Sequence, residues 1–396
     1  MATRSWADWD HLASRYNTVK PRRLLALDGG GIRGLLTLQV LNSLEAQLRA
    51  RHGGDPNFRL CDFFDFIGGT STGAIIAAGL ARGMSVTELL TFYRDFGKEA
   101  FTKRAWYERW KSLYANGPLQ QKLEATFGLG TTLEPKYLKS LLLVVTRNAT
   151  TDSAWPISSN PWAKYNLTSR SDCNLKIPLW QLVRASTAAP VFFPPEVINL
   201  DTKRPDKEFV FVDGGTTSYN NPAFLMYRMA TEPAYWLRWT SGEGQMLIVS
   251  VGTGSAPELG QTGDSPERNA AGAALQTLNA LMNQAAFDQD LSCRTIGRCV
   301  AGPELDREVG DVIPRDETDH VLPLSSGLNR SFLYARYDAI LTKDGLKALQ
   351  CADLDPACVS KLDSIDFMDD LERVGKAVGA LVDVDAFGPL LGTAAV

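Results

Sequence analysis

The sequence predicts an α/β fold in which one sheet is followed by a helical carboxyl-terminal appendage. Short apolar runs of strand length alternate along the chain with longer segments whose leucines recur at helical spacing. Several of these runs end in a glycine-rich or acidic loop, which is where the active sites of α/β proteins collect. The chain contains no internal repeat and no low-complexity linker. This alternation indicates a single α/β sheet.

The composition is that of an ordinary globular protein. Of the 396 residues, 44% are hydrophobic and 22% are charged, and the net charge of −4 gives no general attraction to a nucleic acid polymer. The six cysteines form no C-x-x-C pair and there are three histidines, so we expect reduced thiols, no metal and no cofactor. The amino terminus lacks a secretion signal, and no run of about 18 apolar residues occurs. We therefore expect a cytoplasmic protein.

The first predicted unit is a strand, a glycine loop and a helix. The apolar run at residues 22–27 predicts a short buried strand, and a helix is expected from Leu35 to about Arg51. Between them lies Asp28-Gly29-Gly30-Gly31-Ile32-Arg33-Gly34. Consecutive backbone N–H groups at the start of a helix can point at one anion. The loop is therefore predicted to bind a phosphate or an oxyanion.

This loop has three interpretations. Gly29-x-Gly31-x-x-Gly34 fits the dinucleotide fingerprint, but that fingerprint requires an acid at a strand end, and Asp55 lies in a polar loop. A plain glycine turn is the second interpretation. The favoured one is an oxyanion hole, in which N–H groups stabilise a tetrahedral oxyanion. The residues assigned to this hole are Gly29, Gly30 and Gly31. Arg33 would hold a substrate phosphate nearby as a charged fork.

A second motif places a serine between two glycines at a strand-to-helix turn. Gly69-Thr70-Ser71-Thr72-Gly73 follows a strand-like run at residues 63–67 and precedes a small-residue helix at residues 74–81. This is the pattern of a nucleophile elbow, in which a sharp turn presents the hydroxyl at a helix amino terminus. The flanking glycines let the strand and the helix approach closely. The motif makes Ser71 the candidate nucleophile and favours the oxyanion hole.

The rest of the chain supplies further elements and a candidate acid. The predicted elements are strands at residues 141–145, 209–212 and 246–251, a loop at 146–166, a helix at 179–190, an amphipathic element at 331–341, and helices from residue 352. Asp213 stands at the end of one of these strands and is followed by glycine. Taken alone, Asp213 is more simply a turn residue, because Asp-Gly is a common turn signal.

Residues 92–114 are dense in aromatic and basic side chains. One interpretation is a pair of helices that pack aromatic rings on the core and expose a basic face. The other is an interfacial cap that rests on an anionic bilayer and admits acyl chains.

Several of these motifs occur together in one order along the chain. They are residues 28–34, residues 69–73 and Asp213-Gly214-Gly215, accompanied by Ala185-Ser186-Thr187-Ala188-Ala189-Pro190 and Asn220-Asn221-Pro222. Together, over roughly residues 22–254, they resemble the patatin-like phospholipase family. Ala74 departs from the second glycine that many members carry, and little effect is expected. The segment after Gly254 matches the family pattern weakly.

The resemblance implies a three-layer α/β/α fold with a mainly parallel central sheet. The patatin-like domain would occupy residues 22–345, after an amino-terminal extension at residues 1–21 and before a helical segment at residues 346–396. The resemblance also implies hydrolysis of the acyl esters of membrane phospholipids, with the protein peripheral to the membrane when active. Ser71 would be the nucleophile and Asp213 its base. Such a dyad makes physical sense, because serine needs an adjacent base and burial makes a carboxylate more basic.

Other functions compete with this one. The order Ser71…Asp213…His320 fits a Ser-His-Asp esterase, but His320 lies in a charged segment typical of a surface loop. A non-catalytic nucleotide-binding module would use the glycine loop alone. Some bacterial patatin-like phospholipases serve as effectors of cyclic-nucleotide antiphage defence. The resemblance therefore also suggests a cyclic-nucleotide activator and a homo-oligomer.

Overall fold

The apolar runs of the sequence become the strands of one sheet. The structure is a computed structural model that describes residues 4–100, 116–256, 270–324, 326–363 and 365–392. Within these residues the strands are Arg22–Leu27 (β1), Phe66–Thr70 (β2), Leu141–Asn148 (β3), Ser153–Ser158 (β4), Glu196–Asn199 (β5), Glu208–Asp213 (β6), Met246–Val251 (β7), Arg298–Ala301 (β8) and Leu333–Tyr337 (β9). The α-helices are Ala13–Tyr16 (α1), Gly34–Arg51 (α2), Leu60–Phe63 (α3), Thr72–Arg82 (α4), Val86–Ala100 (α5), Asn116–Phe127 (α6), Leu179–Ser186 (α7), Ala223–Thr231 (α8), Ala270–Ile296 (α9), Lys343–Ala348 (α10), Pro356–Val359 (α11) and Met368–Gly379 (α12).

The sheet is mainly parallel. Its strands follow the order β5-β6-β3-β2-β1-β7-β9-β8, and β4 pairs separately with β3. The pairings from β3 through β2, β1, β7 and β9 to β8 are parallel, whereas those of β4, β5 and β6 are antiparallel. The predicted mainly parallel α/β sheet is therefore confirmed.

Strand β3 has two partners on one of its edges. Val145 pairs with Thr70 of β2, and the next residue, Thr146, pairs with Asp213 of β6. The opposite edge of β3 is occupied by β4 from Leu143 to Asn148. Strands β2 and β6 therefore approach each other end to end along the same edge of β3. Because β2 ends at Thr70 and β6 ends at Asp213, the residues at these two ends are neighbours.

Helices cover both faces of the sheet. Side chains alternate across a strand, so Leu25 and Leu27 of β1 pack into one cluster while Leu24 and Ala26 pack into another. The first cluster includes apolar side chains of α2, α4, α7 and α12, and the second includes those of α8. The layering is thus α/β/α, as predicted. The carboxyl-terminal helix α12 lies against α2 and shares its core.

Several local predictions differ from the structure. The predicted strand at residues 63–67 is instead the end of α3 followed by β2, because Phe63 closes a helical turn. The predicted loop at residues 146–166 contains β4, a strand on which polar residues and Pro156 conceal the apolar alternation. Strand β8 was not predicted, since Arg298 opens it and is nevertheless buried.

The amino-terminal residues are part of the core. Trp9, Leu12 and Tyr16 are buried in the second cluster. The Tyr16 hydroxyl donates to the carbonyl oxygen of Asp65 at 2.6 Å and accepts from the N–H of Leu141 at 2.9 Å. This side chain therefore bridges the starts of β2 and β3, although the sequence shows no motif there.

The aromatic stretch is only partly within the described residues. Phe92 and Tyr93 of α5 are buried, which agrees with core packing for this part. Residues 101–114, on which the interfacial-cap interpretation rests, lie outside the described residues. None of the helices in the described ranges is both long enough and apolar enough to cross a membrane.

Trp9→Ala should destabilise the fold much more than Trp6→Ala. Trp9 is 1% exposed and packs between Tyr16 and Trp162, whereas Trp6 is 39% exposed. Removing a buried aromatic side chain costs about 3–5 kcal/mol of unfolding free energy, and we expect on the order of 1 kcal/mol for Trp6. Urea unfolding followed by circular dichroism measures both. Equally small losses in both variants would show that the amino-terminal segment does not stabilise the sheet.

Candidate active site

Ser71 occupies a strained turn between β2 and α4. Its backbone has φ of 53° and ψ of −122°, a conformation that costs a non-glycine residue about 1–3 kcal/mol. Neighbouring Gly69 is required because a Cβ there would collide with the carbonyl of Gly73. The N–H of Ser71 donates to Ser186 Oγ at 2.9 Å, and that hydroxyl donates to the carbonyl of Val145 at 2.7 Å. Ser186 thus holds the turn against β3.

The Ser71 hydroxyl points at Asp213. Ser71 Oγ donates to Asp213 Oδ2 at 2.6 Å, and both side chains are buried. The other carboxylate oxygen, Oδ1, accepts the N–H of Gly215 at 2.7 Å, which fixes the carboxylate plane. Burial raises the pKa of Asp213 to about 6, although the hydrogen bonds from Ser71 and Gly215 and the charge of Arg184 oppose this rise. A carboxylate with this pKa is ionised at neutral pH and is more basic than an exposed one.

The structure does not bring a histidine to Ser71. His320 has 81% of its side chain exposed and contacts Thr318 and Asp316 in its own loop. His11 bonds to the carbonyl of Leu138, and His52 bonds to the carbonyl of Leu48. No histidine is among the residues lining the pocket at Ser71.

The glycine loop lies beside Ser71 and offers two backbone donors. The N–H groups of Gly30 and Gly31 bond to none of the described residues, and Gly31 lines the same pocket as Ser71. Gly31 has φ of +60°, and a Cβ there would collide with the carbonyl oxygen of Leu362. Gly29 differs from the prediction because its N–H already donates to the carbonyl of Asn220 at 3.2 Å. Gly29 anchors the loop, and the available donors are Gly30 and Gly31.

A buried ionic cluster fixes the start of this loop. The guanidinium of Arg336, in β9, donates to both carboxylate oxygens of Asp28 at 2.9 and 2.6 Å, and to Asp338 at 2.7 Å. It also donates to Ser250 Oγ at 2.7 Å. Burial raises the pKa of Asp28 to about 7, and the charge of Arg336 opposes this. Asp28 opens the glycine motif recognised in the sequence, but its pairing with Arg336, 308 positions away, has no sequence signal.

The pocket above Ser71 and Asp213 is lined mainly by apolar side chains. These include Ile75, Leu119, Phe192, Phe193, Met282 and Leu362. Such a lining suits a hydrocarbon chain attached to a carbonyl at Ser71.

Arg33 is not in this pocket. It lines a separate cavity of about 450 Å³ behind the glycine loop, together with Asn279, Asn283, Gln284, Arg336 and Asp338. The structure therefore brings together Ser71, Asp213 and Gly31 in one pocket and places Arg33 in a separate cavity.

Comparison with known proteins finds a matching family model and similar sequences. A family model described as patatin-like phospholipase matches residues 25–227, a range that contains the glycine loop, Ser71 and Asp213. Patatin-T5 from Solanum tuberosum and Patatin-17 from Solanum cardiophyllum are each 29% identical to the chain over 257 residues. These matches cover 60% of this chain and 62% of each relative, so the chain spans somewhat less than two thirds of their length.

Solved structures resemble the chain more distantly. The human GIVD cytosolic phospholipase A2 in complex with methyl gamma-linolenyl fluorophosphonate is 13% identical. It covers 93% of this chain and 58% of its own, with a TM-score of 0.44. VipD from Legionella pneumophila is 14% identical and covers 89% of this chain and 67% of its own, with a TM-score of 0.34.

Proposed function

Because this chain belongs to the patatin-like phospholipase family, we propose that it is a serine lipid acyl hydrolase. Its substrates are the fatty-acyl esters of membrane phospholipids, as for a phospholipase A or a lysophospholipase. The observation that carries this proposal is the 2.6 Å hydrogen bond from Ser71 Oγ to buried Asp213 at an apolar pocket.

In the first step, Asp213 is the base for the attack of Ser71. As Oγ attacks the ester carbonyl, its proton moves to Asp213 Oδ2, and the carbonyl oxygen becomes an oxyanion. In this proposal the N–H groups of Gly30 and Gly31 stabilise that charge, and each such donor is worth about 3–4 kcal/mol. The C–O bond of the ester then breaks, and the departing alcohol, the lysolipid, takes the proton from Asp213. Ser71 is left carrying the acyl group.

In the second step, water releases the fatty acid. Asp213 takes a proton from a water molecule as its oxygen attacks the acyl carbonyl, and the same two N–H groups stabilise the second oxyanion. When this intermediate collapses, the proton returns from Asp213 to Ser71 Oγ. The carboxyl product leaves, and both side chains regain their starting states.

The competing functions have less support. A Ser-His-Asp esterase needs a histidine between Ser71 and the acid, but His320 is exposed and Asp213 contacts Ser71 directly. A nucleotide-binding module would leave this serine–carboxylate pair without a role.

We extend the proposal to control of the activity. An enzyme that cleaves bilayer lipids endangers the cell that makes it, so its activity needs control. We propose that the protein is cytoplasmic and acts at the membrane. We also propose that a cyclic nucleotide activates it in antiphage defence and that the active form is a homo-oligomer. The cavity of about 450 Å³ behind the glycine loop is lined by both polar and apolar residues, which supports a ligand site outside the pocket at Ser71.

Variants of the dyad test the reaction. Ser71→Ala should abolish fatty-acid release from phospholipid vesicles, and Asp213→Asn should lower the rate by about 10²–10⁴-fold because general-base catalysis is lost. His320→Ala, His11→Ala and His52→Ala should stay within a few-fold of the wild type. Initial rates by mass spectrometry of released fatty acid, at matched circular dichroism, provide the readout. Loss of activity in folded His320→Ala with an active Asp213→Asn would sink the dyad.

The pH dependence tests Asp213 separately. Its pKa is raised to about 6, so the carboxylate gains its proton, and stops acting as a base, as pH falls through 6. We expect kcat/KM for an uncharged ester to rise about tenfold per pH unit below 6 and to level off above it. A profile that is flat from pH 5 to 8 would contradict the assignment.

Gating is tested with a panel of cyclic dinucleotides and trinucleotides. If the proposal is right, one of them raises the rate of fatty-acid release and shifts the mass measured by light scattering, while linear nucleotides of the same bases do neither. Equal rates with and without every member of the panel, at an unchanged mass, argue against a cyclic-nucleotide activator and leave the dyad untouched.

A further inference from the structure

Arg33 donates hydrogen bonds to the glycine loop on the side away from Ser71. Its side chain is 5% exposed, and its backbone N–H and its Nε both donate to the carbonyl oxygen of Gly30, at 3.3 and 3.4 Å. Its Nη1 donates to the carbonyl oxygen of Ser360 at 3.3 Å. Two donors of one residue therefore converge on a single carbonyl of the glycine loop.

That carbonyl belongs to the same peptide unit as an oxyanion donor. The peptide bond is planar, so the C=O of Gly30 and the N–H of Gly31 point in opposite directions. Holding the oxygen toward Arg33 therefore fixes the direction of the Gly31 N–H, and Gly31 lines the pocket at Ser71. The guanidinium that donates to this carbonyl oxygen also polarises the peptide, which makes the N–H of Gly31 a stronger donor.

The charge of Arg33 is not used by a neighbouring acid. Among the described residues, no carboxylate lies within 4 Å of its guanidinium. The nearby carboxylates of Asp28 and Asp338 are both bound by Arg336. Burial lowers the pKa of Arg33 to about 10, so the side chain remains charged at neutral pH. A buried cation without an ionic partner is costly, and what it contacts is backbone carbonyl oxygen.

We propose that Arg33 is a positioning residue that holds and polarises the Gly30–Gly31 peptide for oxyanion stabilisation, and that it does not bind the phosphate of the substrate. This assignment rests on the proposed acyl hydrolase function and replaces the role that the sequence suggested for Arg33. The carboxyl-terminal segment completes the support, because the carbonyl of Ser360 holds Arg33 and that of Leu362 accepts the N–H of Ile32 at 2.9 Å.

The first experiment compares substrates with and without a phosphate. Arg33→Met and Arg33→Lys are assayed on phosphatidylcholine in mixed micelles and on p-nitrophenyl butyrate. We expect kcat to fall by about 10- to 100-fold on both substrates while KM changes less than about threefold, since misplacing a donor acts on the transition state. Arg33→Lys should retain more activity than Arg33→Met, because the ammonium keeps the positive charge. It should remain less active than the wild type, because the ammonium cannot reach the carbonyls of both Gly30 and Ser360. A defect confined to phosphatidylcholine would overturn the proposal.

The matched control is another arginine that binds a backbone carbonyl. Arg82, at the end of α4, donates to the carbonyl of Phe127 and lies outside both cavities. Arg82→Met should keep kcat within about twofold of the wild type, the scale of a surface change.

Inhibitor binding and chemical rescue separate positioning from a general loss of structure. A trifluoromethyl ketone, which forms an oxyanion on the attacking serine, should lose affinity in each Arg33 variant by the same factor as kcat/KM. The cavity behind the loop gives small ions access to the site, so millimolar guanidinium should restore activity to Arg33→Ala several-fold while equimolar urea does not. Unchanged inhibitor affinity, or no rescue in folded Arg33→Ala, would overturn the proposal. Failure of the wild type to hydrolyse any ester would instead overturn the hydrolase function, and this inference with it.

Discussion

The meeting of β2 and β6 on one edge of β3 is the constraint on which the site depends. Consecutive residues of β3 pair with Thr70 and with Asp213, and the residue after Thr70 is the elbow serine. Strand pairing therefore brings Ser71 and Asp213 together, although they are 142 positions apart in the chain. Because the sheet rather than a flexible loop fixes both ends, little conformational freedom remains to be lost when substrate binds. Ser186 adds to this rigidity by joining the elbow to the same strand.

The sequence predicted the parts of the fold that depend on local pattern. Largely apolar runs predicted β1, β3 and β7, and the glycine-flanked serine predicted Ser71 as the candidate nucleophile. Asp213 became a candidate base only through the family resemblance. The sequence could not predict β8 or the role of Arg336, because a charged residue inside a strand conceals the apolar pattern until its partners are known. The sequence also could not predict on which side of the loop the Arg33 side chain lies, because that depends on Ser360 and other contacts distant in sequence.

Two buried arginines near the glycine loop, unlike Arg33, are paired with acidic side chains. Arg336 binds Asp28 and Asp338, and Arg294 binds Asp290 through two nitrogen atoms. Removing one member of such a buried pair is strongly destabilising, because it leaves the other charge without compensation. This cluster ties β9 to the loop that follows β1, so the carboxyl-terminal third of the chain contributes to the geometry of a site whose motifs lie in the first half and the middle.

The segment matched by the family model lacks β7, a strand from the middle of the sheet. The family match ends at residue 227, but β7, at Met246–Val251, pairs with the full length of β1 in the middle of the sheet. A fragment cut at the limits of the family match would retain Ser71 and Asp213 and yet leave residues 25–27 of β1 without their partner β7. Unpaired strand edges of this kind recruit other chains. We therefore expect a fragment that ends at residue 227 to aggregate. Truncated forms of the protein should instead end at a residue that leaves every central strand with its partners.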